Sequence, residues 1–201
     1  MAWHAGYSAK NPDKKTMKII SRQYLKFHHY ADGHRSEKTS KEKYTEVVNG
    51  LIQDIKDNGN TGRRQFYLGQ SYKDAGDNIN AILELTKRIQ MGGWQEEVYW
   101  SYLYIARITH SEDDYLKAIK HTSNRLEAIY ELSLICYMKG EHKKAYEYAA
   151  QGIKVKIQNY VLFHNVSLYK WKMYDHFMLT AYNHGKYSEG ISIGLQLLKT
   201  D

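Results

Sequence analysis

The sequence predicts an all-α chain, a right-handed solenoid of antiparallel helix pairs behind an irregular N-terminal segment. Three observations carry this. Apolar residues recur at helical spacing from Lys41 to the end, small residues return at fixed offsets, and a lone Pro12 stands in 201 residues. Composition agrees: 42% hydrophobic, 13% aromatic and 25% charged residues describe an ordered chain rather than a disordered one.

Residues 1–40 read as the irregular segment. Asn11-Pro12-Asp13 and Asp32-Gly33 are turn signals, and Tyr24 to Tyr30 has the length of a short strand. The repeat domain spans 41–201. Its first helix places Tyr44, Val47, Val48, Leu51, Ile52 and Ile55 on one face and ends near Asn58-Gly59.

Helix pairs follow. Gly69 leads Tyr72, a turn glycine at Gly76, then Ala81 and Leu85; Ser133 leads Cys136, Gly140, Ala145 and Ala149 at identical offsets. Met178, Ala181, Gly185, Gly190 and Gly194 repeat them again. A weaker copy joins Ala106 and Ala118 through the turn Ser111-Glu112-Asp113. Small residues there let two helices approach closely while Leu and Tyr fill the seams, which is tetratricopeptide logic with irregular spacing between copies. About nine or ten helices are expected on this repeat pattern.

In such an array the first helix of each pair lines the concave side. The side chains predicted there are Arg63, Gln70, Lys73, Trp100, Arg107, Tyr130 and Tyr137, with His110, Lys172, Asp175 and Tyr182 beside them. Fork donors beside flat aromatics are the residue types of binding hot spots. The competing reading is that the aromatics pack between repeats and the cations are solvated.

Other chemistry has weaker support. His28, His29 and His34 surround Asp32, but adjacent residues of an extended segment face opposite ways, so no metal is expected. Nucleophile elbow, Walker-type phosphate loop and HExxH pair are all missing, so neither catalytic residues nor a cofactor are predicted. Glu112, Asp113 and Asp114 suit a helix N-terminus, where carboxylates complement the dipole. A net charge of +7 with nineteen Tyr permits nucleic acid, but both signs are scattered, which disfavours it. Cys136 excludes an intrachain disulfide and sits in an apolar helical pattern that makes it inert. The start lacks a signal-peptide core and no run is apolar enough to span a bilayer, so the expected location is cytoplasmic or virion-associated. Exposed faces on the terminal helices make self-association an expectation as well.

Several strings resemble a known family. Asp32-Gly33-His34-Arg35-Ser36, the stretch from Arg63 to Gly76 (RRQFYLGQSYKDAG), Lys87-Arg88 and Met91-Gly92-Gly93-Trp94-Gln95-Glu96-Glu97-Val98-Tyr99 resemble the helical region downstream of the catalytic domain in viral and microbial glycosyltransferases of the family 2 type. Arg125-Leu126-Glu127-Ala128, Tyr130-Glu131-Leu132, Leu162-Phe163, Tyr169-Lys170-Trp171-Lys172 and Asp175 look like its later markers. The chain departs from that pattern at Ser123-Asn124, where the family has Pro, and at His176, where an acidic residue is usual. The resemblance places the end of a catalytic domain near His28-His29. A layered α/β nucleotide-sugar domain with its Asp-x-Asp cannot be built from forty residues. The resemblance therefore implies a non-catalytic interaction or acceptor-docking module with a polypeptide partner. The alternatives are a subunit that completes a glycosyltransferase with a separate catalytic chain, and a basic virion or nucleoprotein assembly component.

Overall fold

A computed structural model describes residues 38–199, which contain nine α-helices and one π-helical turn: α1 (Ser40–Asn58), α2 (Gly62–Ala75), α3 (Asn78–Met91), α4 (Gln95–Thr109), α5 (Glu112–His121), α6 (Leu126–Met138), α7 (His142–Gly152), the π-turn Leu168–Lys172, α8 (Met173–Asn183) and α9 (Tyr187–Leu197). The strand expected at Tyr24 to Tyr30 and the His28, His29, Asp32 and His34 cluster lie outside the described residues. No strand occurs among the described residues, and none of their helices is long and apolar enough to cross a membrane.

Local chemistry sets the boundaries. Thr39 and Glu42 form a reciprocal capping box that starts α1: the Thr39 hydroxyl accepts from the Glu42 N–H at 3.2 Å and the Glu42 carboxylate accepts from the Thr39 N–H at 2.8 Å. Thr61 caps α2 and Asp77 caps α3 in the same sense, through the N–H groups of Arg64 and Asn80. Gly76, Gly140 and Gly185 close α2, α6 and α8 at φ of 83°, 77° and 78°, a region glycine enters without steric cost. His110 takes that position after α4 at φ 53°.

The offsets read from the sequence are close approaches. A Cβ on Gly69 would stand 2.7 Å from Leu85 Cγ, and one on Gly194 would stand 3.0 Å from Met178 Sδ. The Ser133 hydroxyl donates to the Ala145 carbonyl at 2.6 Å. Each contact joins the first helix of a pair to the second, so α2/α3, α6/α7 and α8/α9 share one packing scheme, and α4/α5 is the shorter variant.

Successive pairs stack: α3 packs on α4, α5 on α6 and α7 on α8. The first helices also reach one another, α2 to α4 and α6 to α8, and side-chain pairs join α4 to α6. The result is the all-α, tetratricopeptide-like array expected, with α2, α4, α6 and α8 forming an inner face. Its core runs from Phe66 and Leu85 through Tyr99, Leu103, Ile129 and Leu132. A second cluster of Leu126, Ala149, Met173 and Phe177 seats the last pair.

Candidate partner-binding face

The inner face is organised by two buried arginines. Arg88, at the end of α3, donates to the Glu97 carboxylate at 3.0 Å and 3.2 Å and to the carbonyls of Gly92 and Trp94. Gly92 and Gly93, at φ 62° and 83°, let the backbone fold back so that the Gly92 carbonyl meets the guanidinium. Arg63 donates to the other Glu97 oxygen at 3.0 Å and lies 5.1 Å over the Trp94 ring.

Arg125 precedes α6 and is fully buried. It binds Glu127 at 3.2 Å and Glu96 at 3.3 Å, and the Tyr160 ring covers its guanidinium at 4.2 Å. Burial opposes the charge, but the Glu127 carboxylate outweighs it and raises the arginine pKa. No capping side chain starts α6; two tyrosines replace it. The Leu126 N–H donates to Tyr169 Oη at 3.1 Å and the Ala128 N–H to Tyr99 Oη at 3.0 Å. Both hydroxyls lie within 3.4 Å of Glu127 Oε2 and donate to it. Burial, then the Glu127 charge, pushes the Tyr99 pKa far up, which keeps the phenol protonated as this role requires.

The GGW string with its paired glutamates, Arg125 with Glu127, Leu162-Phe163 and Tyr169 thus all hold the array together.

The segment between α7 and the π-turn crosses the start of α4 and α6. Glu96 accepts from the N–H groups of Val161 and Leu162 at 3.1 Å and 2.7 Å. The Leu162 carbonyl accepts from Trp100 Nε1 at 3.1 Å and from Arg125 Nη2 at 3.0 Å. The Phe163 ring meets the Trp100 indole edge-on at 5.1 Å. A carboxylate for two successive amides and two donors for one carbonyl make a clamp for a bend in the backbone, and the chain's own linker fills it.

The predicted face residues sort accordingly. Trp100 does not line an open groove: it is 5% exposed, beneath Phe163 and against Tyr104, because the linker covers it. Arg107 is not a free fork: its guanidinium grips Glu131 at 2.6 Å and 2.9 Å and lies over the Trp100 and Tyr104 rings. Lys73 pairs with Asp74 and sits 5.0 Å from the Tyr104 ring centre. Gln70 is half-buried, and its Oε1 has no hydrogen-bond partner. Tyr130 and Tyr137 pack edge-on around the His176 ring, at the α6–α8 seam. Arg63 lies apart from these, beside Trp94. What the structure brings together is a strip of Lys73, Tyr104, Arg107, Trp100 and Phe163.

Buried polar groups elsewhere have structural roles. Ser133 Oγ lies 2.9 Å from His176 Nε2, a nucleophile–base distance, but its proton goes to the Ala145 carbonyl. The hydroxyl thus accepts from a neutral Nε2–H imidazole, the reverse of activation. Cys136 is buried, and burial raises its thiol pKa, consistent with an inert thiol. Glu112 accepts from Lys144 and Tyr148 at 2.9 Å each, so the acidic start of α5 also ties it to α7.

No protein-family model matches the chain, and no curated protein matches it. Among solved structures the fold is similar to a crystal structure of MamA, with a TM-score of 0.55 and 20% identity over 83% of this chain and 94% of that one. A second MamA crystal structure gives 0.54 and 20% over 81% and 85%. At this identity the likeness establishes the fold.

Proposed function

We propose that the chain is a non-catalytic protein-interaction module whose inner face holds a non-helical segment of a partner polypeptide along the strip from Lys73 to Phe163. The observation that carries this reading is the linker itself. Backbone groups of Val161 and Leu162 bond to Glu96, Trp100 and Arg125, so the face already binds a non-helical stretch of chain through its backbone. Beside it, Lys73 and Arg107 are already held over the Tyr104 and Trp100 rings, with little side-chain ordering left for binding. Because Glu131 occupies the Arg107 fork, the strip suits backbone carbonyls and aromatic side chains better than a free carboxylate.

Selection of short displayed peptides on the intact chain tests it. Peptides that bind wild type, lose affinity on Lys73→Ala and Arg107→Ala and keep it on Ile79→Ala, an exposed α3 position, support the assignment. Equal binding by all four proteins removes it. Trp100→Ala is unsuitable, since it would empty the core beneath the linker.

The resemblance to the region downstream of a family 2-type catalytic domain supports a narrower form, in which the partner is a separate catalytic glycosyltransferase chain. Turnover of a nucleotide sugar by a mixture of both chains, absent from either alone and lost with Arg107→Ala, is the result expected. A mixture as inactive as its components returns the reading to the general module.

A further inference from the structure

Within the array, the second helix of a pair receives the pair that follows. On α7 this stripe is Tyr146, Ala150 and Ile153, the fifth and ninth residues of the helix and its C-cap. Tyr146 packs on Phe177 at 5.7 Å and on His184 at 5.0 Å, and Ala150 and Ile153 pack against the cluster around Met173. Helix α9 carries Ile191, Leu195 and Leu198 at the same three positions. No helix of the described residues covers them.

The neighbouring surface enlarges the stripe. Leu179 and Tyr182 of α8 are exposed, and the Tyr182 ring meets Tyr187 edge-on at 5.4 Å across the turn. These six side chains are between 44% and 78% exposed. Together they offer on the order of 700 Å² of apolar and aromatic surface, more than a typical monomer shows and close to the ~800 Å² per partner of a stable interface.

We propose that this face is where two copies of the chain associate, α8–α9 of one on α8–α9 of the other about a two-fold axis. The opposite end of the described array argues for this occupant over head-to-tail stacking: Val47, Leu51, Ile52 and Ile55 of α1 are half-buried and none is exposed, so α1 offers the α9 stripe less to bury than a second copy of that stripe does. The stripe matches itself instead, and an isologous contact needs one patch alone. Its rim carries both signs, with Asp175 and Glu189 beside Lys186 and Lys199, so two copies can meet without setting like charge against like.

This surface shares no residue with the strip from Lys73 to Phe163, and its test reads mass rather than peptide binding. Sedimentation velocity of the full chain over a wide concentration range should show a dimer dissociating to monomer on dilution. Ile191→Glu with Leu195→Glu should leave only monomer at every concentration, with helical circular dichroism unchanged. Tyr182→Arg, on the other helix of the face, should raise the dissociation constant at least tenfold and serves if the double variant does not fold. Wild type that stays monomeric throughout, a dimer that survives both variants, or open-ended growth into larger species would each overturn the proposal.

Discussion

Glu96 and Arg125 stand 3.3 Å apart across the seam between α4 and α6 and grip the same stretch of linker. The carboxylate takes the Val161 and Leu162 amides, and the guanidinium takes the Leu162 carbonyl. Arg125 is the anchor of the two, held by Glu127 and enclosed by tyrosine rings.

Glu96→Ala should therefore release the linker and spare the helices. Losing charge-assisted hydrogen bonds is expected to speed hydrogen exchange of the Val161 and Leu162 amides about 10- to 100-fold. The α4 and α6 core amides should keep their wild-type rates. Unchanged exchange at Leu162 would show that the ring contacts of Tyr160 and Phe163 suffice to hold it.

Phe163 sits in the left-handed region at φ 50° while its ring packs on Trp100. A side chain there costs roughly 1–2 kcal/mol, so the ring contact must offset it. Phe163→Ala keeps the strain and loses the ring, whereas Phe163→Gly loses both. Both variants should unfold earlier than wild type in urea, with Gly the more stable of the pair by about 1 kcal/mol. Ala more stable than Gly would contradict the left-handed backbone.

The helix-pair scheme was legible because close packing restricts residue type: Gly69 against Leu85 and Gly194 against Met178 admit little else, and the left-handed turns select Gly76, Gly140 and Gly185. The linker was not. Its anchors act on backbone atoms some 65 positions from Glu96, which leave no side-chain signature, and the one trace is a longer interval between the Ser133 and Met178 copies. The face residues were legible as types only. Helical spacing puts Trp100 and Arg107 on the inner side, but it cannot show that Phe163 will cover one and Glu131 engage the other. The π-turn had no signal, and it sets Tyr169 against the start of α6.

Two glycines separate packing from propensity. Gly69→Ala would drive a Cβ to 2.7 Å from Leu85 Cγ and 3.1 Å from its backbone nitrogen, so α2 and α3 must part. A loss of about 1–3 kcal/mol in urea unfolding is expected from such overpacking. Gly50, inside α1, has nothing within 4 Å of its would-be Cβ. Gly50→Ala should gain roughly 0.5–1 kcal/mol, because Ala is the better helix former. Similar responses at both sites would sink the close-approach account of the repeat.

His176 makes the last pair sensitive to acid. Burial lowers its pKa below the ordinary value, against the smaller opposing effects of the Ser133 contact and the Asp175 charge. The neutral ring donates to Ser133 between the rings of Tyr130 and Tyr137. A lowered folded-state pKa means the unfolded chain binds the proton more readily, so stability rises with pH across the interval between the two values. The contribution is complete above the ordinary histidine range. It is lost as pH falls through that range toward the folded-state pKa. His176→Gln keeps a side-chain N–H donor but does not titrate, so its melting temperature should fall less than wild type's between neutral pH and pH about 5. Parallel curves for the two proteins would mean that the acid sensitivity does not lie in the His176 ring.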